Sequence, residues 1–159
     1  MTLSVEVINK QRKIKVSSKK VISRIKKILS FLYKTRDKNL LKITVKNPIL
    51  SISVIFIGDK KMKELNFKYR GKKSTTDILS FPYLENEPSG NMFLGEIIIN
   101  PIKVLSQAKK YNETFWQELD RILAHGVLHL IGYDHENVSI GKAKKMRKLE
   151  EKILSNLKP

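Results

Sequence analysis

Alternating and clustered apolar positions along the chain predict five β-strands. Every second residue is apolar over the first of them, as expected for a strand with one buried face. The others are short runs rich in β-branched and aromatic residues, and the last is apolar enough to be central in a sheet. The predicted strands are Leu3–Ile8, Leu40–Val45, Leu50–Ile57, Asp77–Phe81 and Phe93–Ile99.

Apolar residues that recur three and four positions apart predict about five helices between and after these strands. Ser17 and Ser18 precede the first helix and Asp59 the second, where a short polar side chain can cap free backbone N–H groups. Gly132 can end the fourth helix, because glycine adopts a positive φ without strain. The predicted helices run from Ser17 to about Leu32, from Asp59 towards Tyr69, from Pro101 onwards, from about Glu113 to Leu130 and from about Ser139 to Leu157.

Strands and helices alternate in groups along the chain, which indicates an α+β fold. We expect a small mixed β-sheet of about four to five strands, packed with about five helices. Hydrophobic residues make up 41% of the sequence, which is enough for a core. Because no repeat or long linker divides the chain, residues 1–159 are expected to form a single domain.

The charge balance points to polyanionic partners. The chain has 32 basic and 15 acidic side chains, a formal net charge of +17. Such a surface attracts RNA, DNA and anionic membranes. An A+T-rich coding sequence would also enrich lysine over arginine, so part of the excess has a compositional explanation.

Other classes of protein are disfavoured by what the sequence lacks. It has no cysteine, which excludes disulfides, thiolate metal sites and cysteine nucleophiles. No apolar run is long enough to cross a bilayer, and the first residues lack the basic and apolar regions of an export signal. We therefore expect a cytoplasmic protein that does not act at a membrane.

All three histidines of the chain fall within eleven residues, at His125, His129 and His135. Residues four apart on a helix lie about 40° apart around its axis, so His125 and His129 can reach one point. The turn at Gly132 can bring His135 to the same point. Three imidazole nitrogens leave a zinc ion one position for water, which is typical of a catalytic site. The spacing therefore predicts one zinc ion per chain, at the end of the long helix.

The same spacing occurs in the metzincin zinc proteases, so a metal-dependent hydrolase of peptides is an alternative. In those enzymes a glutamate follows the first histidine and acts as the general base. Here that position is Gly126, which disfavours the proteolytic mechanism. A glycine inside a helix costs about 1 kcal/mol relative to alanine, which indicates that a strand or a substrate approaches the helix closely here.

Further sequence blocks extend the histidine motif into a longer pattern. They are Leu65-Asn66 with Tyr69-Arg70, Thr76–Pro82, Leu94–Ile97 and His125–His135, which reads HGVLHLIGYDH. This pattern resembles that of the YbeY family of bacterial endoribonucleases. One departure is Glu96, which stands where the family has aspartate and keeps the charge.

The resemblance implies a small α+β fold, a divalent metal, usually zinc, on the three histidines, and cleavage of single-stranded RNA. It further implies that the partners are rRNA and ribosomal subunits, through maturation of the 3′ end of small-subunit (16S) rRNA and removal of defective ribosomes. By position, Arg70 corresponds to the family's functionally important arginine, and a guanidinium can bind two phosphate oxygens at once. Arg70 and His125 are thus the candidate catalytic residues, with His125, His129 and His135 as metal ligands.

Several roles stay open at this level. A non-catalytic ribosome-assembly factor with a structural zinc is the second hypothesis, favoured by the net charge and by the lack of an evident general base. Asp134 either orients a histidine or caps its turn, and Tyr133 either stacks on a base or packs the turn. Asp77 either pairs with neighbouring segments or lies in the site. The attacking nucleophile is either water or the 2′-OH of the substrate.

Overall fold

Four strands form one mixed sheet in the computed structural model, which describes residues 1–158. The strands are β1 (Thr2–Asn9), β2 (Ile49–Phe56), β3 (Ile78–Asn86) and β4 (Met92–Ile99). Their order across the sheet is β1-β2-β4-β3. β1, β2 and β4 are parallel to one another, whereas β3 pairs antiparallel with β4 and lies at the edge. This mixed sheet confirms the predicted α+β class.

Within residues 1–158 six helices pack around the sheet, one more than the pattern predicts. They are α1 (Ser18–Lys34), α2 (Lys38–Thr44), α3 (Asp59–Arg70), α4 (Pro101–Lys110), α5 (Phe115–Leu130) and α6 (Ile140–Leu157). The side chains of Ser17, Thr114 and Ser139 cap α1, α5 and α6 by accepting hydrogen bonds from backbone N–H groups of the first turn. Within residues 1–158, no helix combines the length and the apolar character needed to span a membrane.

The helices pack on both faces of the sheet. One face carries the larger core, to which α1, α5 and α6 all contribute buried residues. On the other face Met62 and Leu65 of α3 pack with Leu79 and Ile98. Because successive residues of a strand point to opposite faces, the side chain of Glu96 lies on the same face as that of Ile98, away from α5.

One predicted strand is wrong. Most of the segment Leu40–Val45 belongs to helix α2, because Asp37 caps this short helix with a hydrogen bond from the backbone N–H of Leu40. Leu40 is the one buried residue of α2, and Val45 is 81% exposed. The β-branched residues of this segment therefore do not indicate a strand. A second, smaller correction is that α3 is preceded by Gly58 as its N-cap residue, with Asp59 inside its first turn.

Candidate metal centre

Helix α5 and the turn that ends it bring the three histidines together. His125 and His129 lie one turn apart on α5, whose last turn closes with hydrogen bonds from Gly132 N to His129 O (3.1 Å) and from Tyr133 N to Leu128 O (2.9 Å). This pair of bonds needs a left-handed residue, and Gly132 supplies it with a φ of 96°. The chain then reverses direction and carries His135 back over the helix end.

The three imidazoles form a compact cluster. Their ring centroids are 4.5, 4.8 and 5.2 Å apart, and one nitrogen from each ring lies within 4.8 Å of the others. The Nε2 atoms of His125 and His129 are 3.0 Å apart. Two nitrogens bound to a tetrahedral zinc at 2.0–2.1 Å would be roughly 3.3 Å apart, so this pair already has about the spacing that such an ion needs. The three histidines can therefore bind a metal.

The environment of His129 favours the neutral imidazole that a metal requires. Burial, together with the nearby His125 and His135, lowers the pKa of His129 to about 4. A ring with this pKa is uncharged at neutral pH, and metal ligation by histidine uses the neutral form.

A cleft of about 290 Å³ opens over the histidines and has walls from distant parts of the chain. Arg70, the last residue of α3, lines it together with Asp77 and with Ser80 of β3. Gly71 ends α3 with a φ of 67°. The buried Asn66 then donates a 2.7 Å hydrogen bond to Ser74 O and fixes the loop that leads to β3. Arg70 and the histidines, predicted from separate motifs, thus face the same cleft.

Arg121 also lines the cleft and is not among the residues predicted from the sequence. It lies four residues before His125 on α5, so helical periodicity could have found it. Its guanidinium donates hydrogen bonds of 2.5–3.2 Å to Glu118, which is 1% exposed, and it lies 3.9 Å from Asp77. The hydrogen bond with Glu118 raises the pKa of Arg121. Gln107 donates to both carboxylates and completes the network.

The contacts of Asp134, Tyr133 and Asp77 bear on the roles that the sequence leaves open. Asp134 is exposed and accepts a 2.9 Å hydrogen bond from Glu136 N, so it caps its turn. Tyr133 is partly buried and donates a 2.5 Å hydrogen bond to Asp37, which favours the packing role. Asp77 lies in the cleft and also pairs with its neighbours, so both of its alternatives hold in part.

Gly126 faces the sheet, and this explains why a helix interior carries glycine. A Cβ at this position would lie 2.9 Å from Ile78 Cδ1 and 3.0 Å from Ile97 Cδ1. The close approach of a strand that the sequence predicts is therefore present. Because position 126 is buried against the sheet, it does not line the cleft, and it supplies no glutamate of the metzincin kind.

Comparisons with known proteins give the same picture over almost the whole chain. A family model described as "Endoribonuclease YbeY" matches residues 6–158. A protein of that name from Thermodesulfovibrio yellowstonii is 81% identical over the full length of both chains. A relative of the same name from Petrotoga mobilis is 35% identical, over 98% of this chain and 96% of its own.

A solved structure agrees with these matches. The solution structure of a Thermotoga maritima protein superposes with a TM-score of 0.59 at 27% identity, over 96% of this chain and 88% of its own. The motif around the histidines, the sheet with its central helix and the full-length matches all lead to one assignment. The chain belongs to the YbeY family of endoribonucleases.

Proposed function

We propose that this chain is a zinc-dependent, single-strand-specific endoribonuclease that acts in rRNA maturation and ribosome quality control. Its proposed substrate segment is the 3′ end of 16S rRNA, its proposed partners are ribosomal subunits, and its proposed compartment is the cytoplasm. The whole chain, residues 1–159, would act as one metal-dependent hydrolase domain. The observation that carries the proposal is the shared cleft of Arg70 and the three histidines in a chain of this family.

His125, His129 and His135 would hold one zinc ion through their imidazole nitrogens. When bound, the ion supplies a Lewis acid that withdraws charge from a phosphoryl oxygen. Three neutral nitrogen ligands suit zinc, although other divalent ions of the first transition row accept imidazole as well. The proposed catalytic role of His125 is that of a metal ligand in the lining of the cleft.

Arg70 would bind the scissile phosphate beside the metal. Phosphodiester cleavage builds negative charge on the non-bridging oxygens, and a guanidinium stabilises it by charge-assisted hydrogen bonds. Its position at the end of α3, in the lining of the same cleft as the three histidines, supports this role. The small cleft favours an unpaired strand over a duplex.

The proposal is tested with metal content and RNA cleavage measured on the same samples. The variants are His129→Ala, Arg70→Ala and, as a matched control, Arg147→Ala, which removes an exposed arginine on α6. We expect near one zinc per chain in wild type, loss of zinc and cleavage in His129→Ala, and normal zinc with at least about 100-fold slower cleavage in Arg70→Ala. Arg147→Ala should behave as wild type.

A second candidate is a ribosome-assembly factor in which zinc only joins α5 to its following turn, and the net charge of +17 favours it. Stoichiometric zinc without cleavage of single-stranded RNA by wild type would support this candidate and contradict the nuclease. Undiminished cleavage by a zinc-free His129→Ala protein would contradict the metal dependence itself.

A further inference from the structure

The C-terminal helix reaches the metal centre through one contact. Glu150 of α6 places its Oε1 2.6 Å from Nδ1 of His125, across 25 residues of sequence. Both side chains are largely shielded, with exposures of 19% for Glu150 and 23% for His125. A short contact between two partly buried side chains on different helices restricts both of them far more than an exposed ion pair does.

The two nitrogens of His125 have different partners. Nε2 points towards His129 and the shared ligand position, while Nδ1 points to Glu150. A carboxylate accepts only, so Nδ1 must carry the hydrogen of this bond. In the neutral imidazole the lone pair is then on Nε2, the atom that faces the ligand position. The contact therefore selects one tautomer and fixes the ring orientation.

Core packing of α6 fixes the position of the carboxylate. Met146 and Ile153 lie four residues before and three after Glu150, on the same side of the helix, and are 1% and 0% exposed. Both belong to the main core. The adjacent Glu151 is exposed, so the two glutamates differ in orientation although they are neighbours in sequence.

We propose that Glu150 is a positioning residue of the metal centre, which orients His125 so that its Nε2 is presented to the metal. The inference rests on the proposed function in so far as the ion is zinc. Glu150 acts through His125, so the orientation of this histidine depends on the packing of α6. Of the two roles open for Asp134, the one of orienting a histidine falls instead to this distant glutamate.

Zinc affinity, measured by competition with a chromophoric chelator, tests the proposal on the full-length protein. The variants are Glu150→Ala, Glu150→Gln and the control Glu151→Ala. Loss of a residue that hydrogen-bonds a metal-binding histidine weakens metal binding by about 10- to 100-fold. We expect a loss of this size for Glu150→Ala. Glu150→Gln keeps an oxygen acceptor for the Nδ1 hydrogen and should lose less affinity than Glu150→Ala. Glu151→Ala should bind zinc as wild type does.

The unfolding of the metal-free proteins separates positioning from a structural role. If Glu150 only holds α6 in place, Glu150→Ala lowers the free energy of unfolding but leaves zinc affinity unchanged, and the proposal is overturned. If wild type itself binds no zinc, the proposed function fails as well. A folded Glu150→Ala protein with weakened zinc binding, beside an unaffected Glu151→Ala protein, establishes the positioning role.

Discussion

At Gly126 helix α5 lies close against the sheet, between two proposed metal ligands. The side chains of Ile78 and Ile97 fill the space that a Cβ would need. Gly141 lies in helix α6 and has more room. A Cβ at this position would lie 4.0 Å from Ser139 Oγ, which is an ordinary contact. The two glycines therefore provide a matched comparison within one protein.

Gly126→Val is expected to destabilise the metal-free protein by about 1–3 kcal/mol, because the branched side chain must displace Ile78 or Ile97 in a filled core. Urea unfolding measures the change. Gly141→Val serves as the control and should change stability by no more than about 0.5 kcal/mol, since position 141 is exposed. Equal effects of the two substitutions would contradict this account of Gly126.

The separation of side chains along the sequence decided which of them could be predicted. His125, His129 and His135 could be predicted because their spacing and one helix turn define their geometry locally. Glu150 could not be predicted, because no local pattern distinguishes it among the 15 acidic residues of the chain. Its contact with His125 depends on how α6 packs. Arg121 lies between these cases, since it shares a helix face with the histidines.

Between elements, α1 and α5 are joined by an ion pair at the edge of the core. Arg24 Nε lies 3.2 Å from Asp120 Oδ1, and the side chains are 17% and 11% exposed. Burial raises the pKa of Asp120 above its ordinary value of 3.8, and the charges of Arg24, Lys20 and Lys27 offset this only in part. Desolvation thus outweighs the basic residues that face this carboxyl.

The raised pKa of Asp120 gives a pH dependence with a definite sign. The folded protein binds the proton of this carboxyl more tightly than the unfolded chain does, so its contribution to stability is complete below pH 3.8 and is lost as the pH rises through the folded value. The free energy of unfolding of wild type relative to Asp120→Asn should therefore fall between pH 4 and neutrality. Denaturant titrations of both metal-free proteins measure this difference. A rise over the same range would mean that the pairing with Arg24 dominates.

Most elements could be predicted from periodicity, and α2 could not. Its seven residues are too few to display a helical stripe, and its formation depends on the cap at Asp37 and on the hydrogen bond from Tyr133. The antiparallel pairing of β3 with β4 extends β3 to Asn86, beyond the predicted end at Phe81. Strand length is set by the partner strand, which no pattern within β3 specifies.

For the whole molecule, the net charge of +17 makes RNA affinity sensitive to salt. Each phosphate that a lysine or arginine neutralises releases a condensed counterion, and for single strands the logarithm of affinity falls by about 0.7 per contact for each decade of salt. Such binding is independent of sequence. It would add to the phosphate contact that is proposed for Arg70.

We expect the dissociation constant of a single-stranded RNA for the His129→Ala protein, which should not cleave it, to rise at least about 10-fold between 50 and 200 mM salt. Fluorescence anisotropy measures it. The zinc affinity of wild type, which involves no phosphate, provides the control and should change far less. A salt-independent RNA affinity would show that the basic surface takes no part in binding.

The α+β class could be predicted for the whole molecule. The strand order could not, and neither could the cleft that Arg70 shares with the histidines. Both depend on which segments pair across long stretches of chain, such as β2 with β4. Sequence motifs located Arg70 and the histidines separately. The packing of α5 on one face of the sheet and of α3 on the other brings them into one cleft.

The three histidines are close together in the sequence, and this affects the order in which the parts of the site form during folding. One helix and its closing turn bring the histidines together, and such short-range contacts form quickly. Arg70 lies at the end of α3, whose Met62 packs with Ile98 of β4, so its placement must wait for about 35 intervening residues to close a loop, which is slower. We therefore expect the histidine cluster to form before Arg70 reaches the cleft. A chain at this stage could capture its metal while still unable to hold a phosphate, so metal loading and competence for cleavage would be separate events in the maturation of the protein.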